Sequence, residues 1–385
     1  MVGNDTIHTV TRKEHDCIGY MDVPKDVYWG IHTQRALGNF TVSRIADSTH
    51  PQLMRAYATV KRACAEANDE LGLIDHDKAR LIVAACYDVE NGELADQFPV
   101  DVLQGGAGTS TNMNMNEVIA NRALELGGHP KGDYGFIHPN DDVNHSQSTN
   151  DTYPAACKLA LIDAIGPLAE ETKKLTRAFH DLADKHTNDV TIGRTQLQDA
   201  VPMTYGQEFH AFASFLKSDL LALEHVVPQL TTLNLGATAI GTGINADERY
   251  LRRIIPNLSK VTGLELVQAS DLIDATQNLD GLVAVSGAVK TCAVNLSKMS
   301  NDLRLMSSGP RTGLAEINLP PKQNGSSIMP GKVNPVIPEV VSQVAFNIIG
   351  NDVTVTMAAE AGQLELNAFE PIIFYNLIQS VETLT

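Results

Sequence analysis

Four polar segments of this sequence combine small hydroxyl and amide side chains with glycine and hold few carboxylates. Residues 104–112 read Gln-Gly-Gly-Ala-Gly-Thr-Ser-Thr-Asn, and residues 144–151 read Asn-His-Ser-Gln-Ser-Thr-Asn-Asp. Residues 193–202 run Gly-Arg-Thr-Gln-Leu-Gln-Asp-Ala-Val-Pro, and residues 325–335 run Gly-Ser-Ser-Ile-Met-Pro-Gly-Lys-Val-Asn-Pro. Neutral donors with one or two cations suit a small anion, because they replace its hydration shell without neutralising it outright. Each segment also has a plainer account. The first can be a capped helix start; no Gly-Lys-Ser/Thr follows its glycines, so it is not a nucleotide phosphate loop. The second can be a helix N-cap, with Asn150 or Asp151 capping. In the third, Arg194 and Asp199 can simply brace a loop. In the fourth, glycines at both ends suit a lid, and the alternative for Lys332 is a solvated lysine.

The elements that must position these segments are mostly helical. Leu53, Ala56, Tyr57, Val60, Ala63, Cys64 and Ala67 recur at three- to four-residue spacing from about Pro51, and a similar pattern covers 78–91. A helix is expected over 117–126 and a polar loop over 127–151. A long helical period runs from Ala156 to about His186, with Gly166 and Pro167 as a possible kink. Further long helices are predicted over about 205–230 and 281–306 and from Pro335 onward. Residues 1–50 read as irregular. Several predicted helices are apolar on more than one side, as in 340–349, which calls for a bundle of four or more helices, shared between subunits.

Composition narrows the partners. The chain has 385 residues with 29 Lys+Arg against 46 Asp+Glu, a formal net charge of −17. Such a surface repels nucleic acid and anionic membranes. Hydrophobic residues make up 43% and charged residues 19%, which excludes a disordered chain. The five cysteines are scattered with no metal-ligand spacing, which fits a reducing cytoplasm. The N-terminus lacks the apolar stretch of a signal peptide, and the uncharged run 226–246 is too polar for a membrane span.

The fourth segment, GSSIMPGKVNP, resembles the signature loop of the aspartase/fumarase superfamily, lyases that release fumarate from succinyl-type substrates by β-elimination. The other three segments match that superfamily's remaining regions in order. The resemblance runs from VPKDVYWGIHTQRALGNF near the N-terminus to QLELNAFEPI near the C-terminus. The stretches QDAVP, NLGATA and DLIDATQN look more like the aspartate ammonia-lyase branch than class II fumarase, the runner-up; a catalytically weak structural or binding homologue is the remaining alternative. The resemblance implies a mainly α fold with a smaller N-terminal domain over 1–140 and a central long-helix domain over 141–385. The small C-terminal domain usual in the family is expected to be absent from this chain. It also implies a cytoplasmic homotetramer whose sites draw on three subunits, a small dicarboxylate substrate, and no metal or organic cofactor.

Residue roles follow from the same resemblance. Thr109, Ser148, Thr149 and Ser327 would hold the substrate's β-carboxylate, and Lys332 and Asn334 its α-carboxylate. Asn150 and Thr195 would contact the amino group, and Ser326 would be the general base. The chemistry demands such a donor set, since the proton beside a carboxylate is weakly acidic and its removal leaves a dianionic aci-carboxylate. One departure stands out: where the superfamily usually has Gly-Arg-Thr-His, this chain has Gln196 at the substrate-gripping position, an amide that hydrogen-bonds but does not titrate.

Overall fold

The computed structural model of the chain describes residues 10–385. Residues 1–9, on which part of the signal-peptide expectation rests, lie outside the described residues. In chain order, a hairpin of β1 (Thr11–Asp16) and β2 (Gly19–Pro24) precedes α1 (Ile31–Asn39), α2 (Pro51–Glu70), α3 (His76–Glu90) and α4 (Thr109–Leu126). Next come α5 (Thr149–Lys185), an antiparallel hairpin of β3 (Val190–Thr195) and β4 (Gln198–Thr204), and α6 (Tyr205–Thr231). The two-residue strands β5 (Thr232–Leu233) and β6 (Val267–Gln268) pair in parallel around α7 (Glu248–Thr262). The chain finishes with α8 (Asp274–Gln277), α9 (Asp280–Met306), α10 (Val336–Glu360) and α11 (Glu370–Leu384). It is thus mainly α, and no helix among the described residues is long and apolar enough to cross a membrane.

Contacts divide the chain into two compact units. The first takes the described residues up to Leu161, Leu230–Asp280 and Met357–Tyr375; the second takes Ile162–Gln229, Gly281–Thr356 and Asn376–Thr385. In the first, α2 buries Tyr57, Val60, Ala63, Cys64 and Ala67, and small alanines let neighbouring helices approach closely. Tyr250, Ile254 and Leu258 recur on the buried face of α7, and Asn257 Nδ2 donates to Ala63 O at 2.7 Å, pinning α7 to α2. Truncating fully buried Leu258 to alanine would cost about 2–5 kcal/mol.

The second unit is a bundle of long helices. Phe179 and Ala183 of α5, Phe209, Phe212, Ala213 and Leu216 of α6 and Met299 of α9 form one core cluster. Phe179 and Phe212 meet edge to face at 5.4 Å. Asp352 of α10 accepts from Ser286 Oγ at 2.8 Å and Lys290 Nζ at 2.6 Å, both on α9. Asn351 Nδ2 donates to Ser380 Oγ of α11 at 3.1 Å.

Three expectations need correction. Residues 11–24 form a hairpin and Ile31–Asn39 a helix rather than irregular chain, and 190–204 form a second hairpin. α4 begins at Thr109, eight residues before the period becomes apolar, because Asn112, Asn114 and Asn116 are buried in it. α5 begins at Thr149, inside the stretch expected to be loop.

Candidate active site

The start of α4 is built by backbone that favours glycine. Gly106, Ala107 and Gly108 have φ of 93°, 55° and 88°. A Cβ at Gly108 would lie 2.6 Å from the Tyr153 ring, so only glycine fits there. Thr109 Oγ1 donates to Gly106 O at 2.6 Å, which commits its hydrogen and leaves its lone pairs. Gln104 supplies the cap: its Oε1 accepts from Thr111 N at 3.1 Å and its Nε2 donates to Thr111 Oγ1 at 2.8 Å. Thr111 Oγ1 in turn donates to Asp47 Oδ2 at 2.6 Å, and burial pushes that carboxyl up to about 7.

α5 starts with a capping box. Ser148 Oγ accepts from Asn150 N at 3.2 Å, and Asp151 Oδ1 accepts from Ser148 N at 3.0 Å. The capping carboxylate is Asp151 acting together with Ser148, as the plainer reading of this segment held in part. Asp151 Oδ2 also takes the N–H groups of Gly236 and Thr238, each at 3.1 Å. Burial raises the Asp151 carboxyl to about 6, against the pull of these backbone bonds. Asn150 Nδ2 donates to Ala239 O at 2.7 Å, leaving its side-chain oxygen as an acceptor. Asn112 of α4 donates to Thr149 Oγ1 at 2.9 Å, so the structure sets Thr109, Ser148, Thr149 and Asn150 on two adjoining helix starts.

The remaining candidates lie in the second unit. Thr195 pairs with Gln198, and Gln196 and Leu197 form the two-residue tip of the hairpin with φ of 56° and 61°. Both tip residues are exposed, as is Thr195. Arg194 is ion-paired with Glu316, which anchors the hairpin to the segment after α9. In the fourth segment, Gly325 N donates to Lys332 O at 2.9 Å and Asn334 Nδ2 donates to Gly325 O at 2.9 Å. The loop is closed on itself, and a Cβ at Gly325 would sit 2.5 Å from Lys332 O. Ser326 Oγ accepts from Ile328 N at 3.2 Å and Met329 N at 3.1 Å. Ser327 and Lys332 are exposed on the same loop. Among the described residues no hydrogen bond joins Thr195 or Gln196 to this loop, and no group of His, Cys, Asp or Glu is arranged to hold a metal.

Chemically, two backbone N–H groups aimed at Ser326 Oγ favour its deprotonated form, the property a serine base needs. The adjoining helix starts offer the Ser148 and Thr149 hydroxyls as donors for a carboxylate and the Asn150 amide oxygen as an acceptor for an ammonium group. Sequence reasoning gave Asn112 and Asn144 no role within their segments and missed Lys61; together these support those helix starts. A signal was present: Lys61 follows Tyr57 at i+4 on the buried stripe of α2, where a lysine needs partners.

A family profile described as lyase matches residues 19–350. The chain is 54% identical over 375 residues to an aspartate ammonia-lyase of Pseudomonas aeruginosa, covering 97% of this chain and 79% of that one. The structure of a fumarate lyase:delta crystallin from Brucella melitensis bound to cobalt superposes with a TM-score of 0.96 at 54% identity, covering 97% of this chain and 82% of that one. A class II fumarase from Schistosoma mansoni superposes with a TM-score of 0.93 at 36% identity, covering 98% and 82%.

Proposed function

The chain belongs to the aspartase/fumarase superfamily of lyases, and from that membership we propose that it is an aspartate ammonia-lyase, a carbon–nitrogen lyase that converts L-aspartate to fumarate and ammonia. The observation that carries the reading is the closed loop of residues 325–335, with two N–H groups on Ser326 Oγ. The higher identity to an aspartate ammonia-lyase than to a class II fumarase supports the amine substrate over malate.

In the proposed reaction Ser326 removes the proton from the carbon beside the β-carboxylate. The electron pair passes into that carboxylate, giving the aci-carboxylate, and returns to form the double bond as the carbon–nitrogen bond breaks and ammonia leaves. Donors that strengthen as the second negative charge develops lower the barrier most. Thr149, Ser148 and Ser327 take that role. Thr109 contributes only if its hydroxyl turns away from Gly106 O. Lys332, with the side-chain amide of Asn334 bracing its loop, pairs with the α-carboxylate. Asn150 and Thr195 receive the ammonium group, and Gln196 offers a neutral amide beside them.

The exposure of Thr195, Gln196, Ser327 and Lys332 in the single chain supports a homotetramer in which copies complete each other's sites. The unclustered, mostly buried cysteines fit a cytoplasmic setting. The deciding assay follows fumarate by ultraviolet absorbance with aspartate and then malate as substrate. Fumarate from aspartate alone supports the proposal; fumarate from malate alone makes the chain a fumarase; none from either makes it a non-catalytic homologue.

A further inference from the structure

Beneath the α5 start lies a buried lysine that no assigned role uses. Lys61 of α2 is fully buried, and its Nζ donates to Asn144 Oδ1 at 2.8 Å and Gln147 Oε1 at 2.9 Å. A buried ammonium is retained only where its donors are matched, and here the matching atoms are amide oxygens of the segment that leads into α5. This contact has a directional consequence. An ammonium has no acceptor capacity, so the Asn144 atom facing it must be the oxygen. That oxygen also accepts from Asn116 Nδ2 at 3.1 Å and Asn112 Nδ2 at 3.3 Å. The Asn112 amide is therefore turned nitrogen toward Asn144, an orientation that Tyr57 reinforces by donating its hydroxyl to Asn112 Oδ1 at 2.7 Å. The same Asn112 nitrogen donates to Thr149 Oγ1. Thr149 is thus made an acceptor on its inner side, and its own hydrogen finds no acceptor among the described residues.

We propose that Lys61 is a positioning residue: through Asn144 and Asn112 it fixes the polarity of a buried hydrogen-bond chain so that the Thr149 hydroxyl donates outward, into the substrate's β-carboxylate. The inference rests on the lyase reading above and deepens it. With the chain reversed, Thr149 would donate inward and present a lone pair to an anion, turning an attraction into a repulsion. A charge that acts through orientation differs from one that merely stabilises the fold, because its effect vanishes when the oriented group is removed.

The test is a double-mutant cycle of Lys61→Met and Thr149→Val, read as kcat/KM for aspartate. Each single variant is expected to lose about tenfold or more, the scale of a charged hydrogen bond. The double variant should fall no more than about twofold below Thr149→Val, since coupled positions are non-additive. Multiplicative losses would overturn the proposal. If Lys61→Met does not fold, Tyr57→Phe, which keeps the ring and removes the second anchor of the Asn112 amide, replaces it in the same cycle with the same two outcomes. Calorimetric binding of succinate to the same variants separates this failure from failure of the lyase reading. A parent that binds succinate but forms no fumarate defeats the lyase reading alone, and the cycle on succinate affinity then decides the relay. A parent that neither binds succinate nor forms fumarate overturns both.

Discussion

Ser326 is chemically the least obvious residue of the site, because a serine hydroxyl is ordinarily far too weak an acid to lend a base at neutral pH. Its oxygen accepts the N–H groups of Ile328 and Met329, and the loop that presents them is closed by Gly325 and Asn334. Ser326→Ala is expected to lower kcat by about 10²-fold or more, the contribution of a positioned acid–base group. Circular dichroism and sedimentation should be unchanged, and near-parental turnover would remove Ser326 from the mechanism. Lys61 yields a second prediction at this scale. Burial lowers its ammonium from 10.5 to about 8, with Asp151, Cys64 and Cys86 as the titratable groups around it. Between those pH values the unfolded chain binds more protons than the folded one, so this group makes stability rise with pH across the window. Comparing urea midpoints at pH 8 and pH 10, the parent should gain relative to Lys61→Met; a difference independent of pH contradicts the assignment.

Helices and hairpins were unequally legible in the sequence. The apolar period marks α2, α6 and α9 nearly to the residue, since those helices bury one continuous stripe each. The hairpins escaped because their strands carry little alternation: β1 reads TRKEHD and β2 GYMDVP. The turn between β3 and β4 lacks the glycine or asparagine that normally announces left-handed backbone. The same is true at the residue level: the loop segments and their hydroxyls were readable as polar punctuation, whereas the supports of Thr149 were hidden because asparagines in a helix look like poor helix formers until their burial is seen. The tip offers an element-scale prediction. A non-glycine residue in the left-handed region loses about 1–2 kcal/mol, and glycine's greater freedom when unfolded returns about 0.4–1 kcal/mol of that. Leu197→Gly should therefore stabilise the second unit by about 0.5–1 kcal/mol in urea unfolding. A loss instead would mean that the Leu197 side chain, 69% exposed in the single chain, packs against another copy.

At the scale of the molecule, the chain carries −17 charges yet leaves Phe346, Ile349 and Val353 exposed at i, i+3 and i+7 along α10. A stripe of that kind on one helix face suits burial against another helix. In the proposed homotetramer, Phe346→Glu places a charge in the centre of the contact. The expected result is a shift to smaller species in sedimentation velocity, reflecting about 2 kcal/mol or more per copy, with lyase activity falling as the protein is diluted. Unchanged mass and activity at every concentration would place α10 outside the subunit contact.

The two backbone bonds received by Asp151 Oδ2 from Gly236 and Thr238 also bear on exchange with solvent. These amides belong to irregular chain between β5 and α7, a class of segment that normally gives up its protons early. Here they end on a carboxylate with no solvent exposure, held by the first turn of α5. Their deuterium uptake should follow the opening of that turn rather than the motion of their own loop. Isotope labelling would then see 236–238 and the start of α5 as one unit, although some 85 residues of chain separate them.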